Sequence, residues 1–276
     1  MKNKRLLLVG LCLCLLLCSC SSVKNKPSNP LVTPTYEGEV PPINNTWKFS
    51  YEGDDPKTLY EFYSENEDTI GWLTIPETKT DNIVMKGQYG KKYEKGVNGR
   101  DHYLSLDFYH NSRTAGELYV DQRCHIGYNQ LPQNVTIYGH HMANGTMLTC
   151  IDRYKDKAYT DKHQYFTFHT LWNVYHYRVF AIFVIDINKK EHLDFNFRQH
   201  EFENEQAFMD FIGEVKSRSL YQTDVPIDGD DKLINLVTCT YPTGNPSVDD
   251  ARLILMGRLC TDPEEIKAAE KDFRKN

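Results

Sequence analysis

The chain has 276 residues, 40% hydrophobic and 12% aromatic, enough to bury one sizeable core and to hold one catalytic domain. Its formal charge is −6, and setting aside residues 1–19, which carry Lys2, Lys4 and Arg5 and no acid, takes it to −9. That sign excludes nucleic acid as a natural partner, because the phosphate backbone would be repelled.

At the amino terminus, Lys2, Lys4 and Arg5 precede an apolar run from Leu6 to Leu17, the layout of an export signal. The run falls short of the roughly 20 residues that a spanning helix needs. Leu17-Cys18-Ser19-Cys20 is similar to a bacterial lipobox, in which Cys20 is lipidated and becomes the mature amino terminus. Cys18 stands where such motifs usually have Ala, Ser or Thr, so an uncleaved signal anchor is the competing reading. Both readings of residues 1–22 place the remainder at the extracellular face of the cell membrane. Residues 23–55 are rich in Pro, Asn, Thr and Gly, with Pro27, Pro30, Pro34, Pro41 and Pro42, and read as a flexible tether.

Folding is expected to begin at Pro56, where residues 56–68 predict a short helix with Leu59, Phe62 and Tyr63 on one face. Eight β-rich runs follow: Gly71 to Ile75, Ile83 to Lys86, Glu117 to Asp121, Asn134 to Tyr138, Gln164 to His169, Val174 to Ile187, Leu233 to Thr240 and Ala251 to Leu259. They predict a mainly β fold, a barrel or a sandwich. A long helix over Glu205 to Tyr221 interrupts them, with an apolar stripe of Phe208, Phe211, Ile212 and Val215 and Asn204 as its cap; it is expected to lie across the barrel. The domain is read as 56–262, and the polar tail 263–276 as a surface helix or a frayed end.

Two strings about 100 residues apart carry the chemistry: Tyr138-Gly139-His140-His141 and Leu236-Val237-Thr238-Cys239, the second followed by Asp250-Ala251-Arg252. Together they hold a thiol nucleophile, an imidazole that moves protons and a cation for an oxyanion. Each also has a plain reading. A Cys ending an apolar β-run is commonly a small core residue, and Arg252 beside Asp249 and Asp250 is commonly a solvated charge. His141 rivals His140, since neighbours in extended chain face opposite ways. Thr238 and Tyr241 flank the thiol as candidate substrate contacts, although a barrel strand needs no functional reason to carry either, and the same holds for Tyr138. The other candidate thiols, Cys124, Cys150 and Cys260, allow one disulfide plus a spare or three buried thiols. No Cys-x-x-Cys, His-Glu-x-x-His or Asp-rich loop appears, so neither a metal nor any other cofactor is expected.

These motifs resemble a class B sortase. The resemblance is carried by Asn134-Val135-Thr136-Ile137-Tyr138-Gly139-His140-His141-Met142, Gly145-Thr146-Met147-Leu148, Leu236-Val237-Thr238-Cys239-Thr240-Tyr241 and Asp249-Asp250-Ala251-Arg252. It extends to Asn66 through Leu73, Asp101 through Leu104, Asp107-Phe108-Tyr109 and the helix ending Lys216 to Tyr221, covering roughly residues 56–260. It implies an eight-stranded β-barrel and a cysteine transpeptidase of Gram-positive bacteria held at the outer face of the membrane. The implied catalytic residues are His140, Cys239 and Arg252, with His140 preferred over His141 because the family's histidine directly follows Gly. The implied reaction cleaves a sorting motif of the Asn-Pro-x-Thr-Asn or Asn-Pro-x-Thr-Gly kind in secreted proteins through a thioester. The acyl group then passes to an amine of peptidoglycan or its lipid-linked precursor. Two departures bear on specificity: Asn235 where the family has Thr, and a longer segment at Pro242 to Ser247. The alternatives are a related cysteine peptidase, a pilus-type sortase, and a non-catalytic surface lipoprotein that uses the barrel to bind peptide.

Overall fold

The computed structural model describes residues 46–87, 102–187, 189, 194–245 and 249–273. The expected export signal with Cys20, most of the expected tether, Asp101 and part of the 242–247 segment lie outside the described residues. Among the described residues, no helix is long and apolar enough to cross a membrane.

The first strands are a two-residue pair, β1 (Lys48–Phe49) and β2 (Lys57–Thr58). The helix α1 (Leu59–Glu65) follows at once. It starts later than the expected 56, because Thr58 is a true cap: its hydroxyl accepts from the Glu61 N–H, and the Glu61 carboxylate accepts from the Thr58 N–H at 2.7 Å. Packing, in contrast, starts earlier than Pro56. Phe49 and Tyr51 are buried, Phe49 stacked on Trp72 with ring centroids 4.9 Å apart, and the Tyr51 hydroxyl donates to Glu117 at 2.6 Å. Two large aromatic rings are enough to draw this polar stretch onto the domain.

Eight strands then close into a barrel: β3 (Thr69–Thr74), β4 (Asp81–Lys86), β5 (Leu118–Val120), β6 (Asn134–Tyr138), β7 (Tyr165–Thr170), β8 (Val174–Asp186), β9 (Leu233–Thr240) and β10 (Ala251–Leu259). Their order around it is β10-β8-β7-β3-β4-β5-β6-β9. All eight expected runs form strands, and neighbours are antiparallel except for β4 with β5 and β6 with β9.

Period-two alternation sorts each strand between two apolar layers. Ile234 and Leu236 of β9 join Val135 and Ile137 of β6 and Leu253 and Leu255 of β10 inside the barrel. Leu233 and Val237 face outward with Ile254 and Met256, where they meet the stripe Phe208, Phe211, Ile212 and Val215 of the long helix. That helix is α3 (Glu205–Arg218); the single turn α2 (Lys157–Thr160) precedes it in the chain. Asn204 caps α3 by accepting from the Ala207 N–H at 2.9 Å, and the helix lies across the barrel as its stripe requires. Fully burying each Phe, Ile or Val of such a stripe contributes about 1.5–3 kcal/mol. The tail is a docked helix, α4 (Pro263–Phe273): Glu265 accepts from Arg178 at 2.9 Å and from Arg258 at 2.6 Å, and the Phe273 ring meets Trp47 and His169.

Candidate active site

Cys239 and Arg252 face each other across the β9–β10 ladder, directly paired in register. Cross-strand partners on one face have Cβ atoms about 4.5–5.5 Å apart, so thiol and guanidinium share one patch of surface. Alternation puts both on the outer face, continuing the row of Val237 and Ile254. Cys239 is half-buried, and Arg252 keeps a third of its side chain exposed. The guanidinium donates through Nη1 to Asp250 Oδ1 at 2.8 Å and to the Ala251 carbonyl at 3.1 Å. An exposed pair of this kind is weak, so it leaves the cation available to another acceptor.

His140 arrives from the other side of β9. Tyr138 pairs with Val237 in the parallel β6–β9 ladder, and His140 lies two residues beyond Tyr138 as Cys239 lies two beyond Val237. The connection is pinned by the Gly139 N–H donating to the Val237 carbonyl at 3.1 Å and the Thr238 hydroxyl donating to the Gly139 carbonyl at 2.8 Å. A Cβ on Gly139 would sit 2.3 Å from Leu118 Cδ2 and 2.9 Å from Leu148 Cγ. Only glycine fits before this histidine. The imidazole Nε2 bonds the Leu104 carbonyl at 2.8 Å, a contact that no sequence motif announces.

His141 takes a different place. Its Nε2 meets Asp152 Oδ2, and its ring lies edge-on to Tyr241 with centroids 5.7 Å apart. Asp152 also accepts from Lys155 at 2.7 Å, and Lys155 donates to Thr240 Oγ1 at 2.8 Å. Desolvation opposes ionisation there, yet the Lys155 and His141 bonds hold the Asp152 carboxylate below its ordinary range. This network braces the end of β9 beside Cys239. No motif announces it, since Asp152 and Lys155 belong to none.

Thr238 is 2% exposed and points away from Cys239, so its contact is with the backbone leading to His140. Tyr241 stands at the rim. Desolvation and the neighbouring Cys239 push its phenol up while Arg252 pulls against them. Tyr138 is half-buried, and its hydroxyl donates to Asp121 at 2.9 Å. Beyond Tyr241 the chain folds back, with the Thr243 N–H and hydroxyl both donating to Asp249 Oδ2 at 2.9 Å.

The four described cysteines are free thiols, and Cys124, Cys150 and Cys260 are buried. Burial pushes Cys124 and Cys260 up to about 12 and raises Cys150 as well, so these three are poor nucleophiles. Cys239 is the one thiol among the described residues that is not buried.

Asn235 is fully buried, and its amide donates to Thr136 Oγ1 at 3.1 Å and to the Phe197 carbonyl at 2.9 Å. Its work is to tie the segment before α3 to β9. Replacing it, Asn235→Ala, is expected to lower stability by about 1–3 kcal/mol in denaturant unfolding. The ranking of substrate peptides should stay unchanged; a reordered ranking would place Asn235 in specificity instead.

A model of the sortase domain matches residues 73–260, well over half of the chain. Sortase B of Listeria monocytogenes serovar 1/2a is 27% identical over 203 residues, 74% of this chain and 74% of that protein. The solved structure of sortase B from Listeria monocytogenes superposes with a TM-score of 0.58 at 26% identity, covering 73% of this chain and all of that one. A Staphylococcus aureus sortase B–substrate complex matches with a TM-score of 0.59 over 73% of this chain and 84% of that chain, and at 23% identity it speaks for the fold alone. With the domain match and the closed barrel agreeing, the chain belongs to the sortase family, as a class B, sortase-type cysteine transpeptidase.

Proposed function

We propose that Cys239 is the acyl-accepting thiol, Arg252 the oxyanion and backbone clamp, and His140 the proton carrier. This reading rests on the in-register pairing of Cys239 with Arg252 on the outer face, with His140 two residues past the end of the adjoining strand β6. The Cys239 thiolate attacks the scissile carbonyl, and the imidazolium of His140 protonates the departing amine as the C–N bond breaks. A thioester remains. An incoming amine then loses its proton to His140, attacks the thioester and releases Cys239 as thiolate. Arg252 stays protonated throughout, so its part is to hold negative charge on the tetrahedral oxygen.

The substrate is a sorting motif of the Asn-Pro-x-Thr-Asn or Asn-Pro-x-Thr-Gly kind in a secreted protein, and the acceptor is an amine of peptidoglycan or its lipid-linked precursor. The sortase domain match supports this substrate class. Incubating the full chain with a panel of such peptides and with cell-wall peptide amines tests this. An amide between the cleaved motif and the wall peptide is the expected product; a free acid or a protein–protein isopeptide would assign a peptidase or a pilus-type enzyme.

Arg252→Lys keeps the charge but loses the planar fork, and is expected to lower kcat/KM by about 10²-fold in the same assay. Attachment is assigned to the amino terminus, with Cys20 lipidated at the extracellular face. Metabolic labelling with a fatty acid should mark the wild-type chain and not Cys20→Ala; an unlabelled wild type that stays in the membrane fraction would mean a signal anchor.

A further inference from the structure

The bond between His140 Nε2 and the Leu104 carbonyl determines which nitrogen does the chemistry. A carbonyl oxygen only accepts, so Nε2 must carry the proton. Nδ1 has no hydrogen-bond partner among the described residues. We propose that the Leu104 carbonyl is the positioning group for His140, holding the neutral ring as the Nε2–H tautomer and leaving Nδ1 as the atom that gives and takes the proton. The inference rests on His140 being the proton carrier. In the first half-reaction the Nδ1 proton goes to the departing amine nitrogen as the C–N bond breaks. In the second, the attacking amine gives its proton to Nδ1 as the new C–N bond forms and the C–S bond breaks. The Nε2–H···O=C bond persists through both, so the ring turns neither way between half-reactions. The carbonyl fills the orienting role that a carboxylate fills in a Ser-His-Asp triad.

The carbonyl is held by a built support. Leu104 ends a short 3-10 turn, His102–Leu104, whose Tyr103 is fully buried. The Tyr103 hydroxyl donates to Asp68 Oδ2 at 2.9 Å and accepts from Asn66 Nδ2 at 3.1 Å. The Tyr103 carbonyl accepts from the Glu117 N–H at 2.8 Å, and the Ser105 carbonyl from the Arg113 N–H at 2.9 Å. Gly116, in the left-handed region at φ +54°, lies so close that a Cβ there would meet the Tyr103 oxygen at 2.3 Å and the Leu104 oxygen at 2.7 Å. Both segments flanking Leu104 are therefore tied to the 113–117 turn, and Asn66 and Asp68, part of the stretch that carries the family resemblance, act here through Tyr103.

The test is long-range proton–nitrogen NMR on the full chain labelled with ¹⁵N-histidine, with His140→Gln used for assignment. Neutral His140 is expected to show a protonated Nε2 and a bare Nδ1; a protonated Nδ1, or an averaged pair of tautomers, would overturn the inference. A second arm replaces the Leu104–Ser105 peptide bond by an ester, which weakens the carbonyl as an acceptor. The Ser105 N–H lost with it makes only a 3.5 Å contact with the His102 carbonyl. The ester is expected to move the His140 nitrogens toward tautomeric averaging, shift the pH profile and lower kcat about 10-fold with KM unchanged. An unchanged spectrum and pH profile would mean that the support is structural only. Failure of the underlying reading looks different: full activity in His140→Gln with the Nε2–H tautomer present would remove His140 from the chemistry while leaving its orientation intact.

Discussion

Cys239→Ala is expected to end thioester formation and to lower transfer by at least about 10⁴-fold, with the barrel intact. The size follows from the inventory of thiols. Cys124, Cys150 and Cys260 are buried and held up, so no second nucleophile stands in. The fold should tolerate the change, because Cys239 is half-buried at the end of β9 and removing one sulfur there opens little cavity. Circular dichroism and thermal unfolding check the second half of the statement. A variant that loses activity only because it no longer folds would leave the role of the thiol unproven; a folded variant that still transfers would refute it.

The second large effect belongs to His140→Gln. The amide keeps a polar group near the Leu104 carbonyl but cannot cycle a proton, so kcat should fall about 10²–10⁴-fold while peptide binding changes little. Both half-reactions need the ring, so adding a more nucleophilic acceptor such as hydroxylamine should restore the second step and leave the first slow. His141→Gln serves as the comparison. His141 is bonded to Asp152 and set edge-on to Tyr241, and its loss should weaken the brace at the end of β9 rather than the proton transfer. Equal losses in the two variants would contradict the choice between them.

The barrel was legible because each strand is an apolar run bounded by turn residues, and the outer layer because α3 carries its stripe at helical spacing. The start of α1 was also written in the chain, as the Thr58 to Glu61 capping box, but Pro56 drew the expected boundary forward. The ordered segment around Phe49 and Tyr51 was not legible, since a two-residue ladder leaves no periodicity and its stability comes from Trp72 and Glu117, distant in sequence. In the site, alternation alone separates the neighbours of Cys239: with Cys239 facing outward, Thr238 must face inward, where its hydroxyl donates to the Gly139 carbonyl. The Leu104 carbonyl lay beyond any sequence argument, because every residue carries the same backbone oxygen and only the fold chooses which one meets His140.

The most direct test of the account is intact-mass analysis with peptide mapping of the full chain after brief exposure to sorting-motif peptides. An added mass equal to the acyl fragment is expected, located on the peptide that contains Cys239, absent from Cys239→Ala, and discharged as a new amide when a cell-wall amine is supplied. An adduct on Cys124, Cys150 or Cys260, or one that persists in Cys239→Ala, would contradict it.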